Sequence, residues 1–226
     1  MAKQHGVPGE WARVRGTVLS LWPLFLAFVL MGAFASAVLS GRHVGVFAFS
    51  FVASLVSVAW LWRKGLRRVE SFFRGARGEE RVANLLGNLP DAYHVFHDFV
   101  AGSHHVDHVV VGPTGVFAVE TKNWSRTVTI AEGHVLVGGE LPTRPPLVQA
   151  VKEAEAVKAS LKRAGWNGEV APVVCFASNT FAEGVATCGT VQIVNARDLH
   201  GLVTNSPEAL PPQELERLVQ LMEIRR

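Results

Sequence analysis

At 226 residues the chain can hold one sizeable domain, or a smaller domain with an appendage. Its charge is lopsided: residues 1–77 carry 10 Lys and Arg against 2 Asp and Glu, about +8, whereas residues 78–226 carry 12 against 17, about −5. This split argues against reading the overall +3 and the pI near 9.1 as a nucleic-acid signature, because the basic residues flank apolar segments and do not decorate the later part, and two cysteines, Cys175 and Cys188, are too few for a disulfide framework.

Residues 1–16 are polar and basic, with Lys3, Arg13 and Arg15, and offer little to pack. Residues 17–40 hold no charge over 24 positions, about 36 Å as a helix and enough to cross a bilayer core with tilt. After Gly41, Arg42 and His43 come 19 more uncharged residues, 44–62, about 28 Å as a helix. Two such segments predict a transmembrane hairpin, because the apolar part of a signal peptide is single and only about 7 to 15 residues long. Trp22, Trp60 and Trp62 suit interfacial anchors, and Pro23 is placed to kink the first helix. Arg63, Lys64, Arg67, Arg68, Arg74 and Arg77 follow the second segment, and Lys3, Arg13 and Arg15 precede the first, against Arg42 alone between them. This bias predicts a multi-pass protein of the inner (plasma) membrane with both termini cytoplasmic, and residues 63–77 read as a basic juxtamembrane linker.

From Gly78 onward the texture is that of a soluble α/β domain, residues 78–226. Residues 79–89 form an amphipathic helix through Val82, Leu85, Leu86 and Leu89, ended by Pro90, with Glu79 in its first turn. A strand follows at 93–100, then a loop at 101–103. Residues 105–123 place two alternating apolar segments around Gly112, Pro113, Thr114 and Gly115, a hairpin signature. Closure about Pro113 and Thr114 pairs Val111 with Val116 and sets Asp107 opposite Glu120, with Lys122 on the same face by the period of two. Like charges directly opposite each other destabilise a sheet, so the carboxylate pair calls for a cation. A surface hairpin with a plain Glu–Lys ion pair is the structural alternative.

Short extended pieces are expected at 128–137, around Gly133. Pro145 and Pro146 open a helix whose apolar face is Leu147, Val151, Ala154, Val157 and Leu161; Gln149 borders that face, whereas Lys152, Glu153, Lys158, Lys162 and Arg163 lie mostly off it. Gly165 ends this helix, and residues 170–176 read as a buried strand reached by a crossover. A strand at 191–194, a short helix at 196–203 and an amphipathic helix at 212–224 complete the chain. His104, His105 and His108 invite a zinc reading, but His105 and His108 fall on opposite faces and do not converge. Trp124 and Trp166 are expected to pack against the sheet.

The order helix, strand, hairpin, helix, strand, with an acid on one hairpin strand and Glu-x-Lys on the next, resembles the PD-(D/E)xK nuclease superfamily. More narrowly, Gly78-Glu79 with Val82, the run from Val106-Asp107 through Gly112-Pro113-Thr114-Gly115, then Glu120-Thr121-Lys122-Asn123-Trp124 and Pro146-Leu147 with Gln149-Ala150 are similar to the nuclease-related domain (NERD) over residues 74–181. Val106 stands where the superfamily label has proline. The resemblance implies an α/β fold, a mixed central sheet flanked by helices with a restriction-endonuclease-like αβββαβ core, here behind the two-helix transmembrane hairpin. It implies Asp107 and Glu120 as metal ligands, Lys122 as the catalytic lysine, and Glu79 and Gln149 as auxiliary active-site residues. Hard oxygen donors, with the Thr121 carbonyl or water completing the shell, select Mg²⁺ or Mn²⁺. The partners expected are a nucleic acid, DNA before RNA, the lipid bilayer, and a second copy of the chain in a homo-oligomer. The function expected is phosphodiester hydrolysis; the alternative is a non-catalytic, membrane-tethered module that binds nucleic acid or protein.

Overall fold

The computed structural model describes residues 1–41 and 44–224, so Arg42 and His43, expected to carry the hairpin turn, lie outside the described residues. Among the described residues the elements run β1 (Lys3–His5), α1 (Glu10–Ser40), α2 (Val44–Leu86), β2 (His94–Ala101), β3 (His104–Gly112), β4 (Gly115–Lys122), β5 (Val128–Ala131), β6 (His134–Val137), α3 (Pro146–Arg163), β7 (Val170–Phe176), β8 (Val185–Cys188), β9 (Val191–Asn195), α4 (Leu199–Thr204) and α5 (Pro212–Ile224). They form two compact units, one of Trp11–Arg74 and one of Met1–Glu10 with Gly75–Arg226.

Within the Trp11–Arg74 unit, α1 and the first part of α2 run antiparallel. Phe34 stacks on Phe51 with ring centroids 4.9 Å apart, and Trp11 meets Phe72 edge-on at 6.4 Å. A Cβ on Gly16 would lie 3.3 Å from Phe72 Cβ, so the small residue lets the two helices approach. Among the described residues one helix, Glu10–Ser40, is long and apolar enough to cross a membrane, and only 6% of its most apolar stretch is buried. Phe25, Phe28, Leu39, Val46 and Phe49 are all exposed, unlike the side chains of a soluble core helix. Among the described residues the second segment expected at 44–62 contributes a shorter apolar stretch, Ala48–Trp60, and not a second helix of spanning length.

The expected linker at 63–77 is helical. α2 runs unbroken from Val44 to Leu86, absorbing both that linker and most of the helix expected at 79–89. No proline interrupts it, its Arg, Glu, Ala and Leu residues are good helix formers, and Glu70 and Arg74 pair one turn apart at 3.0 Å.

In the other unit a seven-stranded mixed sheet has the order β1-β2-β3-β4-β7-β9-β8. β2, β3 and β4 form an antiparallel meander, β4, β7 and β9 are parallel, and β8 is an antiparallel edge. α3 makes the crossover from β4 to β7. With α5 it covers one face, where Val157, Leu161, Leu218 and Met222 meet Phe96, Val109, Val111 and Ala118. The end of α2 and α4 cover the other, where Val82, Leu86, Leu199 and Val203 meet Val95, Val110, Phe117 and Val173. This is the expected mixed α/β architecture, a central sheet flanked by helices. β5 and β6 pair separately as a two-stranded ribbon.

Two strands escaped the sequence pattern. β8 is four residues long, and β1 lies in the segment expected to pack little. β1 pairs in parallel with β2, from Lys3 on His94 to His5 on Phe96. Side chains hold it there: His5 stacks on Phe96 at 4.4 Å, and Gln4 Oε1 bonds His97 Nε2 at 3.2 Å.

The hairpin closes in the register expected, with Val111 on Val116 and Val109 on Ala118. A Cβ on Gly112 would enter the ring of Tyr93, whose hydroxyl bonds Thr114 Oγ1 at 3.1 Å across the turn. Gly112→Ala is therefore expected to lower stability by about 1–3 kcal/mol through overpacking, read from the unfolding midpoint of the full chain in detergent. An unchanged midpoint would contradict the close approach.

Candidate active site

β4 is a central strand, buried on both faces, and its polar residues Glu120, Thr121 and Lys122 are gathered at its C-terminal end. The carboxyl ends of parallel strands are where α/β sheets commonly meet ligands. Here the β3–β4 ladder stops: its last backbone pair is His108 on Val119. In place of a further backbone acceptor, Asp107 Oδ2 accepts from the Thr121 N–H at 2.7 Å. On the other edge of β3, His108 pairs with His97 and Val106 with Phe99, but the ladder register skips the step between them, at Asp98 and Asp107, and Asp98 has φ 52°. Phe99 and Val106 then join the same core as Phe96 and Val109. The strict period of two expected to set Asp107 upright beside Glu120 is broken at this step, and its carboxylate instead turns along the ladder toward β4.

α3 closes the site from above. Lys122 Nζ donates to Glu120 Oε1 and to Gln149 Oε1, the latter at 2.9 Å, and Gln149 Nε2 donates to Glu153 Oε1 at 2.8 Å. Gln149 and Glu153 stand one helical turn apart on the same face. Glu120 and Glu153 are each only 4% exposed. Burial, then the charges of Glu120, Glu79 and Glu153, hold the Asp107 carboxyl well above the usual carboxylate range, against the opposing hydrogen bond from Thr121. Burial and then Glu120 push Glu153 up to about 9, while Gln149 and Lys122 pull the other way. Glu153 Oε2 is buried and makes no hydrogen bond.

Of the residues expected at the site, Asp107, Glu120, Lys122 and Gln149 come together directly, and Thr121 contributes its amide. Because a strand residue's N–H and C=O leave on the same edge, the Thr121 carbonyl faces the Asp107 side as well. Glu79 is half-buried and its charge reaches Asp107. The glycine before it explains the approach: a Cβ on Gly78 would lie 2.6 Å from Asn123 Cβ, so α2 lies tight against the end of β4. Glu153 was placed off the apolar face by its charge alone. Its signal was its position four residues after Gln149, which borders that face.

The donor chemistry suits a hard divalent cation: crowded, buried carboxylates whose protons are held for want of positive charge. Among the described residues no three His, Cys, Asp or Glu side chains converge around one point. A cation would rest on Asp107 and Glu120 with backbone carbonyl and water, the manner in which Mg²⁺ is usually held. Among the described residues the histidines form no metal-holding cluster. His108 is buried with its Nδ1 2.8 Å from His97 Nδ1, and burial and then His97 hold it well below its usual range. His105 faces Asp98 at 3.5 Å. Trp124 packs on Phe176 and Trp166 donates to Glu214, so both are structural.

Together these features define a mixed α/β domain with a buried carboxylate–lysine–amide site at the C-terminal end of a central strand. Residues 74–177 match the family model of the nuclease-related domain, NERD. Over 88 residues the chain is 31% identical to an uncharacterized protein of Bacillus anthracis, covering 36% of this chain and 40% of that relative, so the match spans less than half of its length. No solved structure matches.

The raised carboxyls link stability to pH. Asp107 and Glu153 bind their protons more tightly folded than unfolded, so this stability is fully present below the ordinary value of 4.5 for Glu153 and is lost as pH rises toward about 9. In EDTA the melting temperature is expected to fall between about pH 5 and pH 9, and Glu153→Gln to flatten the fall. Added Mg²⁺, which competes with the protons, is expected to raise it more at about pH 8 than at about pH 6. A melting temperature in EDTA that does not change with pH would exclude this account.

Proposed function

We propose that the protein is a membrane-anchored, Mg²⁺- or Mn²⁺-dependent nuclease of PD-(D/E)xK type that hydrolyses phosphodiester bonds on the cytoplasmic side of the plasma membrane. The observation that carries this reading is Lys122 Nζ bonded to Glu120 and Gln149, beside Asp107 on the neighbouring strand. A cation bound by Asp107 and Glu120 would offset the phosphate charge and lower the pKa of an attacking water. The ammonium has three donors, and two are used within the site. The third is free for the attacking water or a phosphate oxygen, and Gln149 holds it in aim. Glu79 adds negative charge beside Asp107, which favours cation over proton once the cation is present.

A nucleic-acid partner has support in the fold. Arg77, Arg81 and Arg197, separated in sequence, line one cavity of about 570 Å³ with Asn84, Asn179 and a single acidic residue, Glu80. Arg81 bonds the Ala177 carbonyl, and Ala177 N–H bonds the Lys122 carbonyl, so this basic wall adjoins the strand end that carries the site. Arginines so placed suit phosphates of an extended substrate.

The membrane reading rests on α1 and on topology. Met1–Glu10 and Gly75–Arg226 share one compact unit, so the Trp11–Arg74 segment leaves and returns to the same domain. Crossing a membrane then requires two passes. The antiparallel pairing sets Trp22 level with Trp60 and Trp62, an aromatic belt at one end. A reporter fused after Arg226 is expected to stay inside the cell; its appearance outside would reverse the orientation.

The full chain in detergent should cut DNA with Mn²⁺ or Mg²⁺, and Lys122→Ala should lower kcat by at least about 100-fold. A Lys122 variant that cuts as well as the wild type sinks the reading. The non-catalytic module draws on the absence, among the described residues, of a three-ligand cluster. It predicts no cation binding, so calorimetric Mn²⁺ binding that disappears in Asp107→Asn would rule against it.

A further inference from the structure

Lys122 meets an amide, and an amide has two ends. A half-turn of the Gln149 end group would present Nε2 to the ammonium, donor against donor, and no bond would form. Within the site, only the oxygen can receive Lys122. The group that decides between the two orientations is Glu153. It has no apolar contact to make that leucine would not make better, and a buried carboxyl at a helix–sheet face costs stability. Its Oε1 takes the Gln149 Nε2 proton at 2.8 Å, while Gln149 Oε1 takes Lys122 at 2.9 Å. Solvent does not compete for that bond, because Glu153 is buried on α3.

We propose that Glu153 is a positioning residue: by accepting from the Gln149 amide nitrogen, it keeps the amide oxygen on Lys122 Nζ and so aims the lysine at the Asp107–Glu120 pair. The kinetic consequence rests on the nuclease reading above; the geometric one does not. What Glu153 supplies is an acceptor rather than a charge. Glutamine in its place can serve through its own side-chain oxygen, whereas leucine and methionine cannot.

The test uses the full chain in detergent, with a melting curve on each variant to establish that it folds. In metal-free protein at fixed pH, Lys122 acylation by an amine-directed reagent is followed by mass spectrometry. Glu153→Leu, or Glu153→Met should the leucine variant not fold, is expected to speed acylation about tenfold, the effect of losing one hydrogen bond to a charged group. With a DNA duplex and Mn²⁺ the same variant is expected to lose about tenfold in kcat with KM nearly unchanged, because the lysine is misaimed while substrate contacts remain. Glu153→Gln should behave as the wild type in both assays. Gln149→Ala should reproduce the leucine variant, and the double variant should add nothing to either single one. An unchanged Lys122 acylation rate in the folded leucine variant overturns the proposal. So does Glu153→Gln behaving like Glu153→Leu, or effects of Gln149→Ala and Glu153→Leu that multiply. Should the wild type cut no nucleic acid, the nuclease reading fails, and the acylation rates alone still decide the role of Glu153.

Discussion

Three carboxyl groups and one ammonium share a region from which water is largely excluded, and the rest of the domain is arranged around that imbalance. Lys122 can neutralise one charge. Asp107 and Glu153 are left to hold protons, which is why both carboxyls are displaced upward while Glu120 takes the lysine directly. A neutral amide is the connector that such a site tolerates at low cost. Gln149 joins an ammonium to a carboxyl without adding charge, and it satisfies both polar ends of itself in doing so. Protons are one solution to such an imbalance, and a divalent cation would be another.

The sheet is built to bring these groups together and then to stop. Up to His108 and Val119 the β3–β4 ladder is regular, and before that pair its side chains are apolar on both faces. Beyond that pair the chain exchanges backbone pairing for a side-chain bond from Thr121 to Asp107. The register that produces this exchange is set far away, at the turn, where Tyr93 and Thr114 leave room only for glycine at position 112. A slip of one residue would put Glu120 into the core beneath α2 and empty the site. The tight packing of Tyr93 at one end of the hairpin is thus coupled to the placement of Glu120 and Lys122 at the other.

Most of the domain was legible because its signals are local. Gly and Pro mark the hairpin turn, the two prolines open α3, and the uninterrupted apolar run at 170–176 declares a parallel strand. Counting along a closed hairpin brings Asp107 to the strand end that carries Glu120 and Lys122, but not the turn of its carboxylate along the ladder to Thr121. What was not legible depends on partners distant in sequence. β1 is three polar residues with no pattern of their own, recruited by Phe96 and His97. The kink at Asp98 needs a positive φ that its sequence does not advertise. The apolar pattern of α3 leaves Glu153 mostly off its face, although its position one turn after Gln149 brings it beside that residue. The boundary after residue 62 was drawn where hydrophobicity ends, yet helix propensity continues, and α2 follows the propensity.

The outlying strand β1 bears on the site through the face of β3 opposite to it. Gln4 bonds His97, and His97 bonds His108, the residue next to Asp107. These bonds lie where β3 is about to part from β4, so the strand is losing support on one edge just before Asp107. With Asp98 turned out of the β2 ladder, the backbone pairing on the other edge lapses at the same step. The His97–His108 contact is then the last cross-strand tie before Asp107, and burial keeps His108 neutral, so that tie is made without charge repulsion. The segment that precedes α1 therefore supports a strand edge rather than merely leading into the helix. It fixes the place from which the Asp107 carboxylate reaches across to Thr121.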